Sequence, residues 1–152
     1  MWWSDLTGAG ASTINWGDFI GGKTGSTDAG GAVADILGDP ITGLVYWSLG
    51  NSGIHSCEYN SAAETCTGSE FVASTHTDGA KNLALDDSYL YWGGVDGKLR
   101  YAARHDGEVS VLHDGGSNNK ITGVTTDENF VWFAQQGDLK RIAKPVCDCN
   151  VT

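Results

Sequence analysis

Hydrophobic and polar positions alternate along this chain in short runs, and Gly, Asp and Asn turn signals separate the runs. The clearest stretch predicts four strands, Lys81 to Leu85, Tyr89 to Gly93, Lys98 to Ala103 and Glu108 to Leu112. In the last of these, Val109 and Val111 alternate with polar neighbours, as in a strand with one buried face. The turns Val95-Asp96-Gly97 and His105-Asp106-Gly107 supply the residues that tight hairpins place at positive φ. No long stretch carries a helical period.

The pattern repeats. Trp2-Trp3, Tyr46-Trp47, Tyr91-Trp92 and Val131-Trp132 recur at Trp-to-Trp steps of 44, 45 and 40 residues. At an offset of 40, Asp87, Leu90, Trp92, Gly97, Leu99, Arg100 and Ala103 fall on Asp127, Phe130, Trp132, Gly137, Leu139, Lys140 and Ala143. At an offset of 45, Tyr46, Trp47 and Ile54 fall on Tyr91, Trp92 and Leu99. A period of about 40 to 50 residues built from short strands marks a β-propeller, in which each repeat is one blade that cannot bury its faces alone. The expected fold class is therefore all-β, with about three and a half four-stranded blades. The units are approximately 1–32, 33–79, 80–117 and 118–146, with a tail at 147–152. With strands a to d counted outward from the axis, the chain opens at strand b (Met1 to Asp5) and closes after strand c (Asp138 to Val146). A closed ring takes about four to eight blades, so the pattern predicts part of a larger or oligomeric ring.

Charge narrows the partners. A formal net charge of −10 and a pI near 4.5 leave no basic patch for phosphates, which argues against nucleic acid and anionic membrane surfaces. Apolar runs are too short to span a bilayer, and nothing resembling a signal peptide precedes Trp2-Trp3. Cysteines stand at 57, 66, 147 and 149, which allows three pairings. Cys57 and Cys66 flank the predicted c-d turn of the second unit; a bridge there implies an oxidising compartment, and the alternative is two reduced thiols. A bridge within Cys147-Asp148-Cys149 is strained, so that pair points to another segment or another chain.

Asp39-Pro40-Ile41-Thr42-Gly43-Leu44-Val45-Tyr46-Trp47-Ser48 resembles the YWTD repeat of six-bladed propellers in the lipoprotein-receptor family, and Trp2-Trp3-Ser4-Asp5 is similar to the same signature. The third and fourth units keep the strand hydrophobics but follow the Trp with Gly93-Gly94 and Phe133-Ala134. From Ile54 through Cys57 and Cys66 to Ala73, and on to Tyr91-Trp92, the chain is also similar to repeats of secreted bacterial proteins, of a kind common in myxobacteria. These resemblances imply the propeller fold and an extracellular or cell-envelope location, and they carry over no catalytic residue.

In a propeller the b-c and d-a loops share one face around the axis, where ligands dock. The b-c loops offer Ser48, Asn51, Asp96, Gln135 and Gln136; the d-a loops offer His76, Asp78, Lys81, Asn82, His113, Asp114, Asn118 and Asn119. His76-Thr77-Asp78-Gly79 and His113-Asp114-Gly115 look alike, either as a repeated binding element or half of a cation site, or as ordinary turn chemistry. Trp47, Trp92 and Trp132 are expected to fill the space between blades, whereas Trp16, which has no counterpart in other units, is the aromatic nominee for a ligand contact. Asp86-Asp87 and Asp127-Glu128 are expected as solvated a-b turn residues. His55, His76, His105 and His113 lack ligand spacing, so no zinc site is expected, and no nucleophile elbow, zincin motif or phosphate loop is found.

The first expectation is thus a non-enzymatic secreted module, needing no cofactor, that recognises protein or glycan. One alternative is a fragment of a lactonase-like or strictosidine-synthase-like propeller hydrolase with an axial metal, for which calcium is the candidate. Another is a structural subunit that self-assembles into a ring or filament.

Overall fold

The computed structural model describes residues 2–6, 12–17, 24–39, 41–50, 53–60, 65–73, 79–104 and 108–146. These residues form fourteen strands and no helix, and every strand pairs antiparallel with its chain neighbour in one of four sheets. The first sheet holds β1 (Trp2–Leu6), β2 (Ser12–Gly17) and β3 (Thr24–Asp28). The second holds β4 (Asp35–Gly38), β5 (Leu44–Ser48), β6 (Ile54–Asn60) and β7 (Thr65–Ala73). The third holds β8 (Lys81–Leu85), β9 (Tyr89–Gly93), β10 (Lys98–Ala103) and β11 (Ser110–Asp114), and the fourth β12 (Ile121–Thr126), β13 (Phe130–Gln135) and β14 (Asp138–Ala143).

The expected strand limits hold for β8, β9 and β10, and shift elsewhere for local reasons. β11 lies two residues beyond the expected Glu108 to Leu112, because a bulge at Leu99/Arg100 resets its register and the ladder runs on to Gly115, whose N–H donates to Gly97 O at 3.0 Å. β1 reaches Leu6 through its pairing with Ser12. β14 ends before the expected Val146: Lys144 N–H makes a last rung to Asn129 O at 3.1 Å, and Pro145 has no N–H to continue it.

Alternation along the second strand of each sheet builds the core. Val45 and Trp47 of β5 pack with Ile14 and Ala29 on the first-sheet side, while Tyr46 points the other way and joins Leu90, Trp92 and Ala102 of the third sheet. β9 repeats this one sheet on: Leu90 and Trp92 face back, and Tyr91 faces forward to Ile121, Val131 and Phe133 of the fourth sheet. The second-to-third and third-to-fourth junctions therefore each set a forward-facing Tyr against a backward-facing Trp or Phe. Burying rings of this size contributes roughly 4–6 kcal/mol each before entropy is subtracted. Packing runs from the first sheet to the second, the second to the third and the third to the fourth, through β1 with β4, β4 with β8, and β8 with β12. The first and fourth sheets share no comparable packing among the described residues. The four sheets form an open series, consistent with part of a propeller.

The repeat is not in perfect step, and this corrects the expected role of Trp132. Ala103 and Ala143 are equivalent at an offset of 40, but their partners Tyr89 and Phe130 differ by 41, because three residues separate Ala134 from Asp138 where four separate the equivalent Gly93 and Lys98. Gln136 (φ 56°) and Gly137 (φ 84°) form the β13–β14 loop with the two positive angles of a type I′ hairpin. The slip places Phe133, buried, in the position of Trp92, and Trp132 in the position of Tyr91. Trp47 and Trp92 do fill junctions, at 2% and 0% exposure; Trp132 is only half-buried.

Close approach also needs small residues. A Cβ on Gly93 would lie 2.4 Å from Ile121 Cγ2, so only glycine lets β12 reach β9 there. The equivalent Ser48 is buried at the end of β5 rather than lying on a loop, and its hydroxyl donates to Ala80 O at 2.9 Å.

Cys57 of β6 and Cys66 of β7 form a disulfide with Cα atoms 5.5 Å apart. Cys57 sits where the β6–β7 register shifts between Ser56 and Glu58, and its side chain is buried against Val45 and Trp47. Cys147 and Cys149 lie outside the described residues. Replacing Cys57 and Cys66 by Ser is expected to lower stability by about 2.5–3 kcal/mol, the loop-closure entropy of so short a loop, read as the difference in urea unfolding free energy.

Candidate functional site

Each a-to-b turn opens with an aspartate that accepts its own backbone two residues on. Asp39 takes Ile41 N–H at 2.9 Å, Asp86 takes Ser88 and Tyr89 N–H at 2.9 Å each, and Asp127 takes Asn129 N–H at 2.8 Å and Phe130 N–H at 2.7 Å. In the third and fourth sheets the remaining carboxylate oxygen then reaches the forward-facing ring of the next strand: Tyr91 OH donates to Asp86 at 2.8 Å, and Trp132 Nε1 to Asp127 at 2.6 Å. Asp86, not Asp87, is the counterpart of Asp127. Asp87 and Glu128 are solvated as expected, but Asp86 is not a solvated turn residue, because its carboxylate is occupied on both oxygens.

A cation from the following sheet completes the device. Arg104, just after β10, forms a buried ion pair with Asp39 and donates Nε to Tyr46 OH at 3.2 Å and Nη1 to Asp86 O at 3.3 Å. Thr42 Oγ1 donates to the same Asp39 carboxylate at 2.5 Å. Forty residues on, Lys144 lies 3.0 Å from Asp86. Burial pushes the Asp86 carboxyl up, but hydrogen bonds from Ser88, Tyr89, Tyr91 and Lys144 outweigh it and hold it below the ordinary carboxylate range. Burial, and next the Asp86 carboxylate, push the Tyr91 hydroxyl up, so it stays a donor. Asp86, Asp87, Ser88, Tyr89, Glu128, Lys144 and Pro145 line an open cavity of about 220 Å³ on this side.

The opposite ends of the sheets carry the expected ligand loops, and a buried Gln135 organises the junction of the third and fourth sheets there. Its Nε2 donates to Gly97 O at 3.1 Å and Asn119 O at 2.8 Å, while Oε1 lies 3.2 Å from His113 Nε2 and accepts Lys140 Nζ at 3.1 Å. The b-c loop of the third sheet and the connection between β11 and β12 thus meet at one side chain.

Of the residues nominated for ligand contact, this junction gathers Asp96, His113, Asp114 and Asn118. Asp96 is engaged by Arg100 through both carboxylate oxygens, at 2.9 and 2.5 Å, which is chiefly what lowers its pKa. His113 packs on the Phe133 ring at 4.9 Å. Asp114, exposed, accepts Gly116 N–H at 3.0 Å and lies 3.5 Å from Lys98; Asn118 and Gln136 are exposed. Asn119 bonds Gly115 O and Gln136. Gln135 ends β13 and is buried rather than lying on a loop, and Lys81 and Asn82 belong to β8. Asn51, His76 and Asp78 fall outside the described residues; Trp16 pairs with Trp2 and Gly25 in β2, its side chain outside them. Among the described residues, no group of three or more His, Cys, Asp or Glu side chains is placed to hold a metal. The Asp–ring–cation device was not foreseen; its signal was present in the five-residue spacing that Asp86 to Tyr91 shares with Asp127 to Trp132.

No protein-family model and no curated protein matches the sequence. Two solved structures are similar in fold. One is the computationally designed Ika4 protein, at TM-score 0.63 and 16% identity over 88% of this chain and 79% of that one. The other is a chain of a nidogen/laminin complex, at TM-score 0.58 and 11% identity over 87% of this chain and 68% of that one.

Two outcomes follow from the carboxylates. Arg104→Met is expected to cost about 3–5 kcal/mol, because it strands a buried Asp39 carboxylate, whereas Arg104→Met combined with Asp39→Leu recovers most of that loss; urea unfolding of the single and double variants measures both. Asp86, Asp96, Asp114 and Asp127 all have lowered pKa values, Asp114 through Gly116 N–H first and Asp127 through Trp132 Nε1 first. Their contribution is complete above the unfolded carboxylate pKa of about 4 and is lost as pH falls through the folded values. The thermal midpoint should therefore hold from pH 7 to about 5 and fall steadily below about 4.

Proposed function

We propose that this chain is a segment of a YWTD-like β-propeller, exported from the cell, that recognises a protein or glycan on its b-c and d-a loop face and is not itself an enzyme. The observation that carries this reading is the buried Gln135, which ties the b-c loop of the third sheet at Gly97 to the β11–β12 connection at Asn119, beside which Asp114, Asn118 and Gln136 are exposed to solvent. The likeness of fold to a chain of the nidogen/laminin complex and the forward-and-backward alternation of each sheet support the propeller assignment. Export is supported by the Cys57–Cys66 bridge. On the opposite face the turn aspartates are committed to holding sheets together, which leaves the loop face as the place for a ligand.

A second reading, assembly with further sheets, is favoured by the open series: the forward face of the fourth sheet exposes Leu139 at 71%.

Screening the full chain against glycan and extracellular-protein arrays, then mapping any hit by amide chemical-shift changes, tests the first reading. The expected result is a set of changes confined to Asp96, Asp114, Asn118 and Gln136 and their neighbours. Changes centred on the Asp86, Glu128 and Lys144 cavity, or a calcium-dependent hydrolysis, would count against it.

A further inference from the structure

The Cys57–Cys66 bridge is deeply buried at one sulfur and not at the other, and we propose that it is a gated redox latch: a thiol opens it at Cys66 alone, and only while the first sheet is lifted from the second. The inference concerns the first-to-second junction and is independent of any ligand on the loop face.

The two cysteines have unequal surroundings. Cys57 is 2% exposed and packs in the cluster of Ile14, Ala29, Val45 and Trp47, which draws on both sides of the junction. Cys66 lies one strand farther out, on β7 opposite Tyr59, and is half-buried beside the same cluster. The junction over Cys57 is closed by contacts of its own. Trp47 Nε1 donates to Ala29 O at 3.1 Å, and the indole stacks on His55 at 5.5 Å. Val45, next to it on β5, is the cross-strand partner of Cys57. On the other side the β6–β7 register passes over Cys57, between Ser56 and Glu58, so the bridge ties the two strands where the ladder is interrupted.

These surroundings dictate the path of thiol–disulfide exchange. An incoming thiolate attacks one sulfur, and the other leaves as a thiolate. The packed cluster shields Cys57 from attack. Attack on Cys66 forms a bond from the incoming sulfur to Cys66 and breaks the Cys57–Cys66 bond. The electron pair goes to the Cys57 sulfur, which then takes a proton from water. While the sheets are together, that sulfur is an anion among aliphatic and indole carbons, shielded from the water that would solvate it and protonate it. Exchange therefore waits until Ile14 and Ala29 move off. In a series of sheets that each pack on their neighbours, one junction can open while the others stay shut. Loss of the bridge in turn frees β6 from β7 beneath Trp47, so reduction and undocking favour each other. The bridge persists in the presence of thiols for as long as this junction is intact.

Site-resolved mass spectrometry of the full chain in glutathione tests it, with natively accessible thiols alkylated beforehand and the reaction quenched in acid. The expected result is a glutathione adduct on Cys66 with Cys57 recovered as the thiol. Ile14→Ala, which thins the first-sheet side of the cluster, should raise the rate at least about tenfold. Ile14→Val should raise it less, and it carries the test if the alanine variant does not fold. Ile121→Ala, the same truncation in the third-to-fourth core, should leave the rate within about twofold. Adducts shared equally between Cys57 and Cys66, or a rate that neither Ile14 variant changes, overturn the inference. Equal acceleration by Ile121→Ala also overturns it, as does a bridge that opens only at the urea midpoint of the whole chain, because either result makes global unfolding the gate.

Discussion

The contact on which the rest of the structure depends is the one between a forward-facing ring of one sheet and a backward-facing ring of the next. Each sheet is too small to have an interior, so its strands become stable only where Tyr46 meets Trp92, or Tyr91 meets Phe133. The backbone ladders set the spacing of residues within a sheet, but the rings decide how far apart the sheets stand. Gly93 and Ser48 are small for that reason: they lie where the next sheet's first strand comes nearest.

At one end of the second-to-third and third-to-fourth junctions the ring contact is locked by charge. A buried pair such as Arg104 with Asp39 gains little net stability over an apolar pair of the same volume, since both ions lose water. Its effect is on geometry. Asp39 is held by its own turn, and Arg104 is held by Tyr46 and by the Asp86 carbonyl, so the two sheets can meet in one register only. At the other end of the third-to-fourth junction the neutral side chain of Gln135 does corresponding work, by hydrogen-bonding the loop at Gly97 and the β11–β12 connection at Asn119. One set of ends is thereby committed to cohesion, and the other keeps exposed polar side chains on a fixed frame.

Much of the architecture was legible because a strand's period of two and a repeat of some forty residues both leave marks in one dimension. The limits of β8, β9 and β10 could be read residue by residue, and Cys57 and Cys66 could be placed on either side of a strand turn. What could not be read was a slip of one residue. Trp132 aligns with Trp92 in sequence, yet the shorter β13–β14 loop turns it to the opposite face, where it does the work of Tyr91. The same slip concealed the equivalence of Asp86 with Asp127. The candidate site was legible only in part: Asp96, His113 and Asp114 were found as loop residues, but their partners Arg100, Gln135 and Lys98 come from strands whose pairing no local pattern reports.

By itself, the sequence determined that this is an all-β chain of repeated short strands, where the turns fall, and that two cysteines face each other across a hairpin. Alternation and turn chemistry act between near neighbours, so they can be read from neighbours. Only the tertiary structure decided which face each aromatic ring takes, and which aspartate is solvated and which is buried beneath a cation. Those outcomes depend on register between strands and on contacts between sheets forty or more residues apart, where one residue of loop length reverses the direction of every side chain that follows.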